Sequence, residues 1–110
     1  MLEFSPAHLA DGQLPSSKGT LYTVPALNVA ILKSIVLVNT DTVNPMTVNL
    51  YANFGTGSRR ITPADMVLPP GAKYSDDSNV TLEAGDILEA SCSSSAKVDY
   101  SFGGVLTVNT

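Results

Sequence analysis

The stretch Met46-Thr47-Val48-Asn49-Leu50-Tyr51-Ala52-Asn53-Phe54 decides the fold. Met46, Val48, Leu50, Ala52 and Phe54 share one parity, and Thr47, Asn49, Tyr51 and Asn53 share the other. Successive side chains of a strand point to opposite faces, so this alternation means a strand with one buried face. A helix would repeat its apolar positions every three or four residues, and this stretch does not. The same reading extends in both directions along the chain.

On the N-terminal side, Val29 to Thr40 is rich in Ile and Val and apolar at both parities, which predicts a strand partly covered on both faces. Asn39 to Pro45 is a turn by composition, and Leu21 to Val24 is a short strand closed by Pro25. On the C-terminal side, Gly55-Thr56-Gly57 turns the chain into a short strand around Arg59 to Ile61. Thr62-Pro63-Ala64-Asp65 reads as a brief helical turn, with Thr62 as cap and Pro63 at the first position. Pro69-Pro70-Gly71 is a hard turn before an edge strand at Lys73 to Asp77, then Val80 to Leu82 and Ile87 to Ser93. In a last strand from Lys97 to Val108, Val98, Tyr100, Phe102, Leu106 and Val108 share a parity. Gly103-Gly104 marks a bulge or a close backbone approach there.

The expectation is an all-β protein: a single β-sandwich, jelly-roll or Ig-like, of about seven or eight short antiparallel strands over residues 20–110. Residues 1–19 show no sustained period and are broken by Pro6, Gly12, Pro15 and Gly19, so they are expected as an extended N-terminal arm. Phe4, Leu9 and Leu14 are spaced along that arm as contacts for a neighbouring subunit, and its removal is expected to leave the sandwich folded.

A chain of 110 residues has material for one core. A net charge of −4, with Arg59-Arg60 as the one adjacent basic pair, argues against a nucleic-acid partner. The apolar run from Val29 to Val38 is interrupted by Lys33 and Ser34 and falls short of the ~18 residues of a spanning helix, so no membrane insertion is expected. Met1-Leu2-Glu3-Phe4 lacks the basic start and apolar run of a signal peptide.

Catalytic groups are sparse. His8 is the one histidine and Cys92 the one cysteine, and neither sits with a recognisable partner; a triad needs a nucleophile, a base and a group that orients the base. Cys92 is expected as a small buried hydrophobe. Asp76-Asp77 and Asp86 lack the six to eight oxygens and the ligand spacing of a calcium loop, and a lone His makes no zinc site. Asn79-Val80-Thr81 matches a glycosylation acceptor by pattern only. The chain is expected to be no enzyme and to hold no cofactor or metal.

Several pieces occur in a recognisable order: Leu21-Tyr22-Thr23-Val24-Pro25-Ala26, Ile35 to Thr40, Thr47 to Tyr51, Arg59-Arg60-Ile61, Pro69-Pro70-Gly71 and Leu82 to Asp86. In this succession the chain resembles a group of small tailed-bacteriophage virion accessory proteins, over about Leu14 to Val105. The resemblance implies a structural component of the virion, as capsid decoration or as a fibre-base or tail-associated part. It implies homo-oligomerisation and capsid or tail subunits as partners, and carries no catalytic residues. Tyr22, Tyr51 and Tyr74 join Phe4, Leu9 and Leu14 as candidate interface anchors, since aromatics concentrate at buried interface centres. Phe54 is a weaker candidate because it shares the buried parity of its strand. A carbohydrate-binding module contacting a host surface glycan is the alternative, although the chain has no Trp to stack on a sugar.

If the strand phases are right, Leu50→Asp and Tyr100→Asp abolish soluble folding, because an unpaired buried charge costs several kcal/mol against a total of about 5–15. Thr47→Asp and Ser101→Asp, on the opposite faces, are tolerated. Soluble yield and circular dichroism of the four variants check this; equal solubility rejects the phase.

Overall fold

The alternation at residues 46–54 builds β4 (Met46–Asn53), with Met46, Val48, Leu50 and Ala52 all buried. The computed structural model describes residues 2–77 and 79–109, with side chains over 4–107 apart from 78. The other strands are β1 (Leu2–Gln13), β2 (Gly19–Thr23), β3 (Ala30–Asn39), β5 (Ser58–Arg60), β6 (Met66–Leu68), β7 (Lys73–Asp76), β8 (Val80–Leu82), β9 (Ile87–Cys92) and β10 (Val98–Asn109). One sheet runs β1-β10-β3, and β7 and β8 share the margin beyond β3. The other runs β2-β9-β4, and β5 and β6 share the margin beyond β4.

Each margin is one strand cut in two, so the ten segments amount to the eight strands of a two-sheet sandwich. The first strand pairs with the last, the second with the last but one, and all pairs are antiparallel. An immunoglobulin sandwich instead pairs its first two strands in one sheet. The fold is a jelly roll.

Residues 2–13 are not a free arm. They form β1, paired with β10 along its length, and the chain then enters the core at Leu14, which is 1% exposed. The Leu14 amide donates to Val98 O at 2.9 Å, and the Cys92 amide donates to Pro15 O at 2.9 Å. Removing residues 1–19 would therefore take out an edge strand and a core side chain. The sequence shows no period of two here because β1 changes phase: His8 faces Gly103 and Ala10 faces Phe102, leaving Leu9 as an extra residue in a bulge.

The same event occurs on the other flank of β10. Gly103 faces Ser34 and Gly104 faces Leu32, so Lys33 is the extra residue of β3. Ala30 and Leu32 are buried before the bulge, and Ile35, Leu37 and Asn39 after it. The mixed parity of β3 is thus mainly a change of phase, not two covered faces; Ile31, Val36 and Val38 remain half-buried on the outer side. The bulge brings the Ile31 backbone so close to β10 that a Cβ on Gly104 would overlap its carbonyl oxygen and lie 3.0 Å from its carbonyl carbon.

The expected helical turn at Thr62 is absent. Thr62 is buried, and its hydroxyl accepts the Leu50 amide at 3.2 Å while the Ile61 amide donates to Leu50 O at 2.8 Å. Together they complete the pairing of β4 where β5 has ended and β6 has not begun. Phe54 lies just past β4 and is 40% exposed, since its parity no longer has a sheet beneath it. The Val108 side chain falls outside the described residues.

At the end of the sandwich where β3 turns into β4, Asn39 is fully buried. Its amide group donates to Leu68 O at 3.0 Å, Asn44 O at 3.1 Å and Pro69 O at 3.2 Å, and its side-chain oxygen accepts the Asp41 amide at 2.9 Å. The Asp41 carboxylate is held below its ordinary value, first by the Asn44 backbone N–H and then by that of Val43. These bonds tie the turn at 40–45 to the one at 69–72.

Gly104→Ala should destabilise the fold by more than the about 1–3 kcal/mol of ordinary overpacking. Gly103→Ala, whose added methyl would sit 3.8 Å from Ser34 Cβ, should cost under about 1 kcal/mol. Urea denaturation of the pair checks the difference, and equal midpoints would refute it.

Candidate functional site

The turn at 54–57 reverses the chain through Gly55 and Gly57, at φ of 87° and 121°, and the Asn53 side chain accepts the Gly55 amide at 2.9 Å. The register that follows sets Arg60 opposite Tyr51 and Arg59 opposite Ala52. Cross-strand partners share a face, so the two adjacent arginines separate: Arg60 lies on the outer face and Arg59 at a core-side position.

On the outer face, Tyr51 has the Lys18 ammonium 4.5 Å and the Arg60 guanidinium 5.1 Å from its ring centroid. Lys18 donates to Ser58 Oγ at 2.6 Å, and that hydroxyl donates to Glu89 Oε1 at 2.5 Å. Arg60 donates to Asn49 Oδ1 at 2.7 Å, and Asn49 donates to Asp65 Oδ1 at 3.1 Å. Tyr51 is therefore clasped by a polar network of its own chain.

On the core side, β5 and β8 are the open margins of opposite sheets and leave a shallow cleft of about 320 Å3 between them. Ala52, Ile61 and Val80 give it apolar surface, and Phe54, Arg59, Arg60 and Asn79 complete its lining. Arg59 is exposed, and its guanidinium has no hydrogen bond or ion pair among the described residues. The cleft can take an apolar group with a carboxylate beside it.

Phe54 places the cleft beside the turn at 54–57, at the end of the sandwich that also carries the turns at 24–29 and 83–86. Two of these turns are joined, because the Gly85 amide donates to Val24 O at 3.1 Å and the Val24 amide donates to Asp86 O at 3.0 Å. Leu27, at φ 68°, is 88% exposed at the tip. Phe4, opposite Thr107 near this end, is 60% exposed. Among the described residues, three of the five exposed large apolar side chains thus lie at this end, while Val43 and Val67 lie toward the other.

The remaining candidates are scattered. Leu9, Tyr22 and Tyr74 are half-buried and pack against the core, and Leu14 belongs to it. Burial pushes the Tyr22 and Tyr74 hydroxyls up, and the Asp76 charge adds to the shift at Tyr74. His8 lies 3.4 Å from Asp11, with both side chains more than half exposed. Cys92 is buried, as expected, and its thiol donates to Ser94 O at 2.8 Å. Arg59 enters the sequence reading only as half of a basic pair and Glu83 only within Leu82 to Asp86, neither as a contact residue; for Leu27 the one signal is an apolar residue inside a Pro25-to-Asn28 turn.

No family model matches the chain, and no curated protein matches it in sequence. Solved structures do match. A chain in the acid-stable capsid of Helicobacter pylori bacteriophage KHP30 aligns with a TM-score of 0.54 at 13% identity, covering 98% of this chain and 100% of that one. The likeness is one of fold. The VP2 subviral particle of infectious bursal disease virus aligns with a TM-score of 0.53 at 15% identity, over 96% of this chain and only 32% of that one. Bacillus endospore appendages, described as disulfide-linked pili, align with a TM-score of 0.50 at 14% identity, over 98% of this chain and 88% of that one.

Burial is the main cause that raises the Cys92 thiol above its ordinary value, and it outweighs the lowering effect of the Ser94 backbone. Its contribution to stability is therefore full below the unfolded thiol's pKa and lost as pH rises through the raised one. A thiol reagent at mildly alkaline pH should leave the native chain unlabelled and label it fully in urea; rapid native labelling would contradict this.

Proposed function

We propose that this chain is a non-catalytic structural component of a bacteriophage virion, a capsid decoration protein or another head or tail accessory, acting through protein–protein contacts. The observation that carries the reading is the apolar end of the jelly roll, where Leu27 and Phe54 are exposed on two of the turns and Phe4 is exposed on β1 at the same end. Exposed apolar groups gathered at one place mark a contact surface more often than singly scattered ones do. The KHP30 capsid match supports the same reading, because it spans both chains from end to end and a single jelly roll of this size is the whole of that chain.

Chemistry on the chain agrees. The one histidine is an exposed neighbour of Asp11, and the one cysteine is a buried thiol pushed toward its neutral form. Tyr51 is held beneath two cations of its own chain, which disfavours it as a platform for a sugar ring.

Particles purified from a lysate of the host carrying this gene should contain the chain at fixed stoichiometry by quantitative mass spectrometry. The Leu27→Ser, Phe54→Ser double variant should fold normally by circular dichroism and be incorporated at a much lower level. Absence of the wild-type chain from purified particles would refute the virion role.

A further inference from the structure

We infer that the end carrying the turns at 24–29, 54–57 and 83–86 is a self-complementary contact. In it, the Leu27 and Glu83 tip of one copy enters the Phe54 and Arg59 cleft of a second, and the reverse. The inference deepens the structural role proposed above, on which it rests, by naming the partner as a second copy and the charge pair that sets its register.

The two halves of the contact are both present and both unsatisfied in one chain. Arg59 lies at a core-side position of β5, opposite the buried Ala52, without a counter-charge among the described residues. Glu83 is exposed on the turn after β8; its backbone amide donates to Asp86 Oδ2 at 2.8 Å, and its carboxylate has no partner among the described residues. The backbone bonds between Val24 and the 85–86 turn hold the Leu27 turn beside the Glu83 turn. The tip therefore offers an apolar group and an anion side by side, while the cleft offers apolar walls and a cation.

Charge favours a second copy over a basic or neutral partner. Lys18, Arg59 and Arg60 are three of the chain's six basic residues, and all lie on the β5 side. Lys18 and Arg60 are engaged within the chain, which leaves Arg59 to meet an acid from outside. The other basic residues are Lys33, Lys73 and Lys97, against ten acidic residues in the whole chain and a net charge of −4. An isologous two-fold contact uses each complementary pair twice, so a modest pair gains weight. An inward charge on an edge strand also blunts edge-to-edge pairing, and this simpler role for Arg59 predicts no dependence on Glu83.

The test is a charge swap read by sedimentation equilibrium over a concentration series at low and high salt. Arg59→Glu and Glu83→Arg should each weaken self-association by about tenfold or more, because each places like charges together. The double swap should restore most of the wild-type affinity. The neutral Arg59→Gln and Glu83→Gln variants should weaken it less, and circular dichroism should show all variants folded.

Unchanged association in both single swaps, or failure of the double swap to recover, overturns the inference. A wild-type chain that stays monomeric throughout also overturns it. None of these results touches the virion role, which stands or falls on the composition of purified particles.

Discussion

The sandwich depends on a close approach at Gly104. The chain buries the inward residues of β3 in two groups, Ala30 and Leu32 and then Ile35 and Leu37, which are out of phase by one residue. Without a correction one group would face water, since a shift of one residue exchanges the faces of a strand. The bulge at Lys33 supplies the correction and presses the Ile31 carbonyl against β10, where only a residue without Cβ fits. β1 makes the matching change of phase at Leu9, so the continuous β10 is flanked by two strands that adjust beside Gly103-Gly104. Bulges bend the strand that carries them and increase its local twist.

How much of this was legible follows from the same bulges. β4, β9 and the first half of β10 keep a strict period of two, and their faces could be read directly. β3 is recognisable as a strand, but its mixed parity reads as coverage on both faces because a bulge leaves no composition of its own. In β1 the change of phase combines with Pro6 and Gly12 to erase the period, so that a paired edge strand reads as an arm. The sandwich was therefore readable, and its topology was not, because the pairing of first and last strands is a long-range contact that no local pattern encodes. The contact surface was least legible. Arg59 and Arg60 read as a basic pair until register assigns them to opposite faces, and an exposed Leu27 is visible only once its turn is built.

The two margins show how a small sandwich ends its sheets. A continuous edge strand would present a long row of free backbone groups to other chains. Here β5 with β6, and β7 with β8, break the row into short pieces, and Thr62 closes one break with its hydroxyl. Breaking the edges leaves the inter-sheet space less well covered, and the cleft between β5 and β8 is where that shows. β1, the longest free edge, carries Pro6, which has no N–H to donate, and the Leu9 bulge.

The two ends of the molecule answer different demands. At one end, Asn39 draws together the 40–45 and 69–72 turns, and the Thr40 amide and hydroxyl both reach Lys97 O, at 2.8 and 2.7 Å. Those bonds satisfy backbone carbonyls of both turns within the chain. At the other end, the Asn28 amide and the Val29 backbone fasten onto Thr107, which secures the backbone but covers neither Leu27 nor Phe54. Folding alone gives no reason to hold a leucine 88% exposed at a positive φ, because an Asn or Gly would suit that turn better. The proposed two-fold contact would give that leucine a partner, and would do the same for the arginine set at a core-side position across the cleft.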